Sequence, residues 1–564
     1  MRTLSIGTRL IAALATVIVF AGLLIAIGLN NKVGREEEKD KSSPSGPTEP
    51  WPLFGGSLSR NMVNLKEKNI CDKWTIDKED PEKNKNVLWV QTLGSKAYGG
   101  PTIGDGKIFI GTNNDGPRDP DISGDKGIIM CFEQKTGKFL WQSVHDKLAA
   151  GLVNDWPQEG ICSAPFVEGK RIYYVSNRCE LICATTDGLK AGNEGVKDEK
   201  YHTDHDADIV WRLDMIAKLG VFPHNLATCS PLVAGDTVFV ITSNGVDEGH
   251  LNVPKPEAPS FIAVDKKTGA VKWHSNLPSA GIEPFKSSGS GSGDESLFKR
   301  LADSGKLIMH GQWSNPVYAE PKGGKPQVVF PGGNGWLYSF NPANGDLIWK
   351  FDCNPKSAKY ELGNRGTRND FVSTPVIYND KLYIGVGQDP EHESGVGHFW
   401  CINITKEPKN KDKDLSPVDD DFDPKSSKNK DSGLVWHYGG VRKDPAEGES
   451  EYYFGRTLST AAVHDGLCYV AELDGYLHCF DADTGKQYWE HRLDGFTWSS
   501  PYWVDGKIYM GNDAKQIVIF AHGKEKKILN TIKMREYVRA TPVAVDGVLY
   551  VMTETKLYAI KESK

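Results

Sequence analysis

Ten cysteines are scattered through 564 residues, and no two of them stand in a CxxC pair. That excludes the zinc ribbons and fingers built on paired thiolates. Helical periodicity is scarce, which argues against a bundle. Basic stretches interleaved with aromatics are absent, and with a formal net charge of −7 the chain makes a poor nucleic-acid platform. One long uncharged run, LIAALATVIVFAGLLIAIGL at 10–29, follows Arg2 and Arg9. It is long enough to cross a bilayer as a helix, with the remainder of the chain outside the cytoplasm. A cleaved signal peptide ending near Ala26 and Gly28, hence secretion, is the alternative. No Cys follows this run closely, so lipid modification there is not expected. Residues 1–30 thus read as an anchor, 31–50 as a charged, Pro- and Ser-rich tether, and 51–85 as an extension packing on the folded body.

What the chain does have is a repeat. CFDADTGKQYW (479–489) ends one apolar strand, turns through Asp481, Thr484 and Gly485, and resumes with Trp489 four residues after the Gly. The carboxylate and hydroxyl can cap turn N–H groups, and the Gly accepts positive φ. CFEQKTGKFLW, AVDKKTGAVKW and SFNPANGDLIW repeat the spacing with Trp141, Trp273 and Trp349, while Trp89, Trp211 and Trp436 keep the Trp on strands whose turn is lost or lengthened. A lone hairpin cannot cover such a ring, so each Trp needs a neighbouring unit.

Upstream of each hairpin stands a small, hydroxyl-rich stretch ending in Pro, then strand, polar turn and strand, as in SSPYWVDGKIYMG and STPVIYNDKLYIG. Pro101, Pro165, Pro231, Pro316, Pro375, Pro501 and Pro542 mark these starts, and Ala461 replaces Pro in one more. Eight starts imply eight units of four strands, A to D. The Trp89 strand is of D type with no A, B or C before it, and the chain ends on KLYAI, a C strand with no D after it. The N-terminal strand therefore completes the last unit and closes a ring, which removes exposed sheet edges. The expected fold is all-β, an eight-bladed β-propeller over residues 86–564. Cys131, Cys183, Cys401 and Cys479 share one C-strand position where a small buried residue is wanted, and a disulfide among Cys162, Cys179, Cys183 and Cys229 stays open.

Function is sought where the repeat is broken. The B-to-C loops of blades 1, 3 and 5 (112–127, 243–260, 387–398) are expanded and share a face with the D-to-A links. Glu159, His224, Asn225, His310, Gln312, Arg365, Arg368, Asn369, Asp370, Arg456 and Arg539 precede A strands and should rim the central funnel, their arginines offering paired donors to a small anionic ligand. Asp389, Glu391, His392 and His398 are candidate cation ligands, as are Asp115, Asp119, Asp121 and Asp125, although neither set follows an EF-hand pattern. His202, Asp204, His205 and Asp206 lie in a C-to-D insertion at 190–208, and 406–433 and 286–296 are low-complexity insertions.

The units AVDKKTGAVKW and CFDADTGKQYW resemble the tryptophan-docking repeats of the pyrroloquinoline quinone (PQQ) propeller family. WPLFGGSLSRN at 51–61 is similar to the W-P-x-F segment preceding such propellers in membrane-anchored or secreted bacterial proteins, notably of planctomycete type. The family spans quinoprotein dehydrogenases, the outer-membrane-assembly scaffold lipoprotein and sensor ectodomains. In its alcohol dehydrogenases the resemblance implies PQQ held between a Trp and a disulfide of adjacent cysteines, with calcium and a catalytic Asp nearby. This chain has no adjacent Cys pair and no CxxCH for a c-type haem. Trp313, Trp498 and Tyr98, at the starts of A strands, can still stack a planar ligand. The expectation is a binding or scaffold module for a ligand or envelope protein at the inner membrane, with no catalytic residue assigned. A PQQ-dependent alcohol or sugar dehydrogenase using an external electron acceptor is the alternative.

Overall fold

The computed structural model describes residues 49–77, 80–250, 252–282, 310–359, 366–392, 395–447 and 449–562. The run at 10–29, the insertion at 286–296 and Arg365 lie outside the described residues. Among the described residues no helix is long and apolar enough to cross a membrane.

Eight sheets with antiparallel A to D strands, in chain order in blades 1 to 7, form the blades of a propeller. Blade 6 shows the plan, with strands Ala462–His464, Leu467–Ala471, Tyr476–Asp481 and Gln487–Arg492. Blade 8 is closed as the end strands require: Val87–Thr92 pairs antiparallel with Lys556–Ile560, placing Trp89 opposite Ala559. Two sheets carry a fifth strand that the four-stranded repeat did not foresee. Tyr452–Phe454 folds back onto the D strand of blade 5, Leu434–Val441, because the link into blade 6 is long enough to return. Val63–Asn64 lies parallel to the inner strand Tyr502–Val504 of blade 7.

The turn of CFDADTGKQYW (479–489) is built as its chemistry demands. Asp481 Oδ1 accepts the backbone N–H of Asp483 and Thr484 and the Thr484 hydroxyl, at 3.2, 3.0 and 2.9 Å. Gly485 has φ +71°, and a Cβ there would sit 2.6 Å from the ring of Trp436 in blade 5. Each Trp thus docks on the turn of the following blade. The indole N–H completes the joint: Trp89 donates to Lys135 O, Trp141 to Thr186 O, Trp211 to Lys266 O, Trp273 to Pro342 O, Trp436 to Ala482 O and Trp489 to Gly523 O, all at 2.8–3.1 Å. Trp349 departs from this, donating to Gln327 of its own blade. The next turn has been replaced there by the insertion at 406–433.

The cross-strand partners of these tryptophans are all small. Trp141, Trp211, Trp436 and Trp489 face Cys131, Cys183, Cys401 and Cys479; Trp273 faces Ala263 and Trp349 faces Ser339. Blade 7, with no Trp, puts Asn530 opposite Ile519. The cysteine position is therefore a packing position, and all ten cysteines are free thiols. No disulfide joins Cys162, Cys179, Cys183 or Cys229.

Residues 51–64 run around the axis and bond to the inner strand of every blade in turn. Trp51 exchanges two backbone hydrogen bonds with Ile103 of blade 1, and Pro52, Leu58, Ser59 and Met62 accept from Val167, Tyr318, Ile377 and Trp503 of blades 2, 4, 5 and 7. Asn61 donates to Val463 O of blade 6 and Asn64 to Ala544 O of blade 8. Arg60, fully buried, serves blades 3 and 4: Nη2 donates to Ser230 O at 2.8 Å, and Nε to Pro316 O at 3.0 Å. The tight turn that starts this circuit needs glycine, since a Cβ at Gly55 (φ +83°) would lie 2.6 Å from the Arg60 backbone. Inner-edge donors and acceptors are thereby satisfied, and the channel acquires a floor.

Candidate functional site

On the face carrying the D-to-A links, a cavity of about 350 Å³ opens above that floor, and Phe54 lines it. Each blade's link supplies wall residues just before its A strand, so the repeat itself aims them at the axis. Tyr98 enters from blade 1, Trp156 and Glu159 from blade 2, Asn225 and Leu226 from blade 3, Trp313 from blade 4, Trp498 from blade 7 and Arg539 from blade 8. Asp389 and Glu391 come from the expanded B-to-C loop of blade 5.

The aromatic groups are held in place. Trp498 packs against Tyr98 at 5.6 Å between centroids, with the Arg539 guanidinium 4.9 Å from the Trp498 ring centre. Trp313 shares its indole N–H between His224 O and Leu226 O, both at 3.2 Å. Burial, and then Glu159, push the Tyr98 phenol up. Burial also pushes the Cys162 thiol up, leaving it protonated and a poor nucleophile.

The arginines in the funnel are engaged by the protein's own acceptors. Arg539 makes two bonds to Asp513, at 3.1 and 3.0 Å. Arg368 bonds Asp352 at 3.0 Å and lies away from the cavity wall. Arg456 donates to His392 O and to Gln388 Oε1, bracing the 387–392 loop from behind. Gln312 donates to Asn244 O at 2.6 Å, Asn369 donates to Val396 O at 3.1 Å, and Asp370 is buried, bridged through its backbone to Gly387.

Beside the cavity, behind Trp313, sits a cluster of imidazoles. His224 Nε2 is 3.1 Å from His250 Nε2, while His224 Nδ1 donates to Val246 O at 2.9 Å. The His310 ring is centred 4.5 Å from His224 and 4.4 Å from His250. Asp389 Oδ2 lies 3.1 Å from His310 Nε2 and 2.8 Å from His392 Nδ1. His224, His250 and His310 form one group able to hold a cation and His310, Asp389 and His392 another, each with ligand atoms within 4.8 Å of one another. Among the described residues no other such group forms, so Asp115, Asp119, Asp121 and Asp125 do not gather into one, nor do His202, Asp204, His205 and Asp206. Glu391 lines the cavity outside both groups, its carboxyl raised by burial and by Asp389. His398 instead contacts His437 within blade 5, Nδ1 to Nε2 at 3.0 Å.

Burial, followed by the neighbouring His250, brings His224 down to about 4, and burial takes His310 well below the ordinary imidazole range. Burial opposes ionisation of Asp389, yet His310 and His392 hold its carboxyl below the usual carboxylate range. His250 was not singled out from sequence. Its signal was present in GHLNV, inside one of the three expanded loops on the same face as the histidines of FPHN and MHGQ.

A family model described as outer membrane protein assembly factor BamB matches residues 80–408 and 428–563. The chain is 23% identical over 466 residues to lupanine 17-hydroxylase [cytochrome c] from Pseudomonas sp., covering 78% of this chain and 54% of that protein. It is 21% identical to polyvinylalcohol dehydrogenase from Sphingopyxis sp. over 64% of this chain and 50% of that one. The chain thus spans about half the length of these curated relatives. The solved quinohemoprotein alcohol dehydrogenase ADHIIG from Pseudomonas putida superimposes with a TM-score of 0.55 at 13% identity, over 91% of this chain and 80% of that one. At that identity the likeness is one of fold.

Proposed function

This chain belongs to the BamB-type family of PQQ-repeat propellers, and on that premise we propose that it is a binding module, held outside the cytoplasm by its N-terminal segment. Its funnel takes a small ligand, or a side chain of an envelope protein, that has a planar apolar body and no net negative charge. The observation that carries this reading is the floored cavity of about 350 Å³ walled by Tyr98, Trp156, Trp313 and Trp498, the concave apolar shape with few polar groups that ligand sites share. The sign of the charge is read from the wall, whose ionisable side chains are Glu159, Asp389 and Glu391 against Arg539; Arg539 is paired with Asp513, Asp389 with His310 and His392, and Glu159 lies 3.8 Å from Lys96, which leaves Glu391 as the carboxyl without a cationic partner. Cations over aromatic faces gain further attraction.

A second reading, a quinoprotein-type oxidoreductase with an external electron acceptor, is favoured by the names of the relatives and by the same aromatic rings. PQQ is a planar tricarboxylate, and in this wall its charges would meet Glu159, Asp389 and Glu391, while the one lining guanidinium, Arg539, is already paired with Asp513 and the nearest further cation, Lys96, sits against Glu159. There is no adjacent cysteine pair to form its platform. The cation-binding group next to the cavity is dominated by imidazole, whereas calcium takes six to eight oxygen ligands. The donor set therefore does not fit PQQ with calcium. Titrating the full chain with PQQ, with and without calcium, while following ligand absorbance and protein melting, separates the two readings. We expect no saturable binding and an unmoved melting temperature. Saturable binding with a raised melting temperature would replace the binding-module reading by the quinoprotein one.

A further inference from the structure

We propose that His224, His250 and His310, with Asp389 and His392 adjoining them, form a site for one divalent transition-metal ion of the zinc or cobalt type. This goes beyond the cavity's ligand and stands whichever reading of the funnel holds. Imidazole nitrogen with a carboxylate is the donor set that such ions prefer, and it suits calcium or magnesium poorly.

The geometry is that of a site prepared for an ion. The Nδ1–H of His224 is fixed by Val246 O, so the lone pair is on Nε2, the atom facing His250; a backbone carbonyl holding the outer nitrogen is how metal-bound histidines are oriented. The two Nε2 atoms are 3.1 Å apart. Two imidazoles bound tetrahedrally at ~2.0–2.1 Å from a zinc ion hold their nitrogens roughly 3.3 Å apart. His310 is completely buried, and neither of its ring nitrogens makes a hydrogen bond; its Nε2 lies 3.1 Å from Asp389 Oδ2 but out of line for one. Buried polar side chains without hydrogen bonds are rare and call for an explanation such as an ion.

The ligands come from different loops. His224 and His310 stand in the links entering blades 3 and 4, His250 in the expanded loop of blade 3, and Asp389 and His392 in that of blade 5. Arg456 braces the last loop through His392 O and Gln388 Oε1. An ion here ties three blades together on the functional face. Because Asp389 also lines the cavity, the ion sets the charge that a ligand at that end meets.

The test is to strip the full chain with chelator, titrate it with cobalt(II), follow the visible ligand-field bands, and then displace cobalt with zinc. We expect about one equivalent per chain with imidazole-type bands, loss of the bands on adding zinc, and a melting temperature that rises with either metal. His250→Ala, a half-buried loop position, should weaken binding at least about tenfold, and His310→Gln should do the same. His202→Ala, in the distant blade 2 insertion, should leave it unchanged. Uptake well below one equivalent, or stoichiometric binding equally strong in both cluster variants, would overturn the proposal; circular dichroism and melting verify that each variant is folded.

Discussion

Replacing Arg60 by methionine removes the buried donors that tie the channel floor to blades 3 and 4 while roughly keeping the side chain's length. The guanidinium is fully buried and donates to Ser230 O, Pro231 O, Pro316 O and Phe54 O, with no carboxylate among its acceptors. Bonds of this charge-assisted kind are worth ~1.5–3 kcal/mol each. Against them stands burial, which brings the Arg60 pKa down to about 9, a charging penalty on the order of 5 kcal/mol. Methionine escapes that penalty but leaves the carbonyls without donors, so Arg60→Met should destabilise the floor by roughly 1–7 kcal/mol. The loss should be local first. Backbone N–H groups of Tyr318, Ile377 and Trp503 donate to residues 58–62, and loosening the segment exposes them. Hydrogen exchange read by mass spectrometry should therefore accelerate at the start of strand A in blades 4, 5 and 7, while the B and C strands of the same blades keep wild-type protection. Arg60→Lys, which supplies charge but not the fork of donors, should fall between. Unchanged exchange at those inner strands in Arg60→Met would refute the view that this side chain holds the floor in place.

Trp489→Ala, which removes a ring packed on Phe520 and Tyr469 and bonded to Gly523 O, should cost about 3–5 kcal/mol, whereas Trp489→Phe should cost less because it keeps most of the packing; equal melting of Trp489→Ala and wild type would sink the docking account. Acid should destabilise the protein through its buried histidines, those of blade 5 among them. Burial brings His398 down to about 4, and burial with His398 beside it takes His437 well below the ordinary value. In the unfolded chain both titrate near ~6.5. Between those values the unfolded state binds more protons, so stability should fall as pH drops from about 6.5 towards 4 and stay level above that window as far as these groups contribute. Denaturant midpoints that are flat across that window would contradict this.

The blade count, the ring closure and the docking tryptophans were legible because each is written locally and repeated. A Gly four residues before a Trp, a polar turn and a Pro-led strand carry their meaning wherever they stand. The identity of the cysteine position was likewise readable, since a small residue must face each indole. The floor was not. Residues 51–64 follow no strand period, because they meet one blade after another and bond through irregular backbone. The fifth strands of blades 5 and 7 were missed for a related reason: they come from links and leader, outside the repeat. At the funnel, position in the repeat placed His224, Asn225, Trp313, Trp498, Tyr98 and Arg539 near the axis. It could not place Asp513 against Arg539 or Asp352 against Arg368, and those pairings decide what charge remains for a ligand. The meeting of His250 with His224 depends on the path of an eighteen-residue loop at 243–260, which spacing alone does not set.

The most direct test of the central claim is a charge-sorted titration of the full chain. Benzylammonium and benzoate share a ring and differ in sign, and binding is followed by tryptophan fluorescence in wild type, Trp498→Leu and Glu159→Gln. The account predicts saturable quenching by benzylammonium, weakened in both variants, and no saturation with benzoate. Saturable binding of benzoate with equal or greater affinity, or benzylammonium binding indifferent to both substitutions, would contradict it.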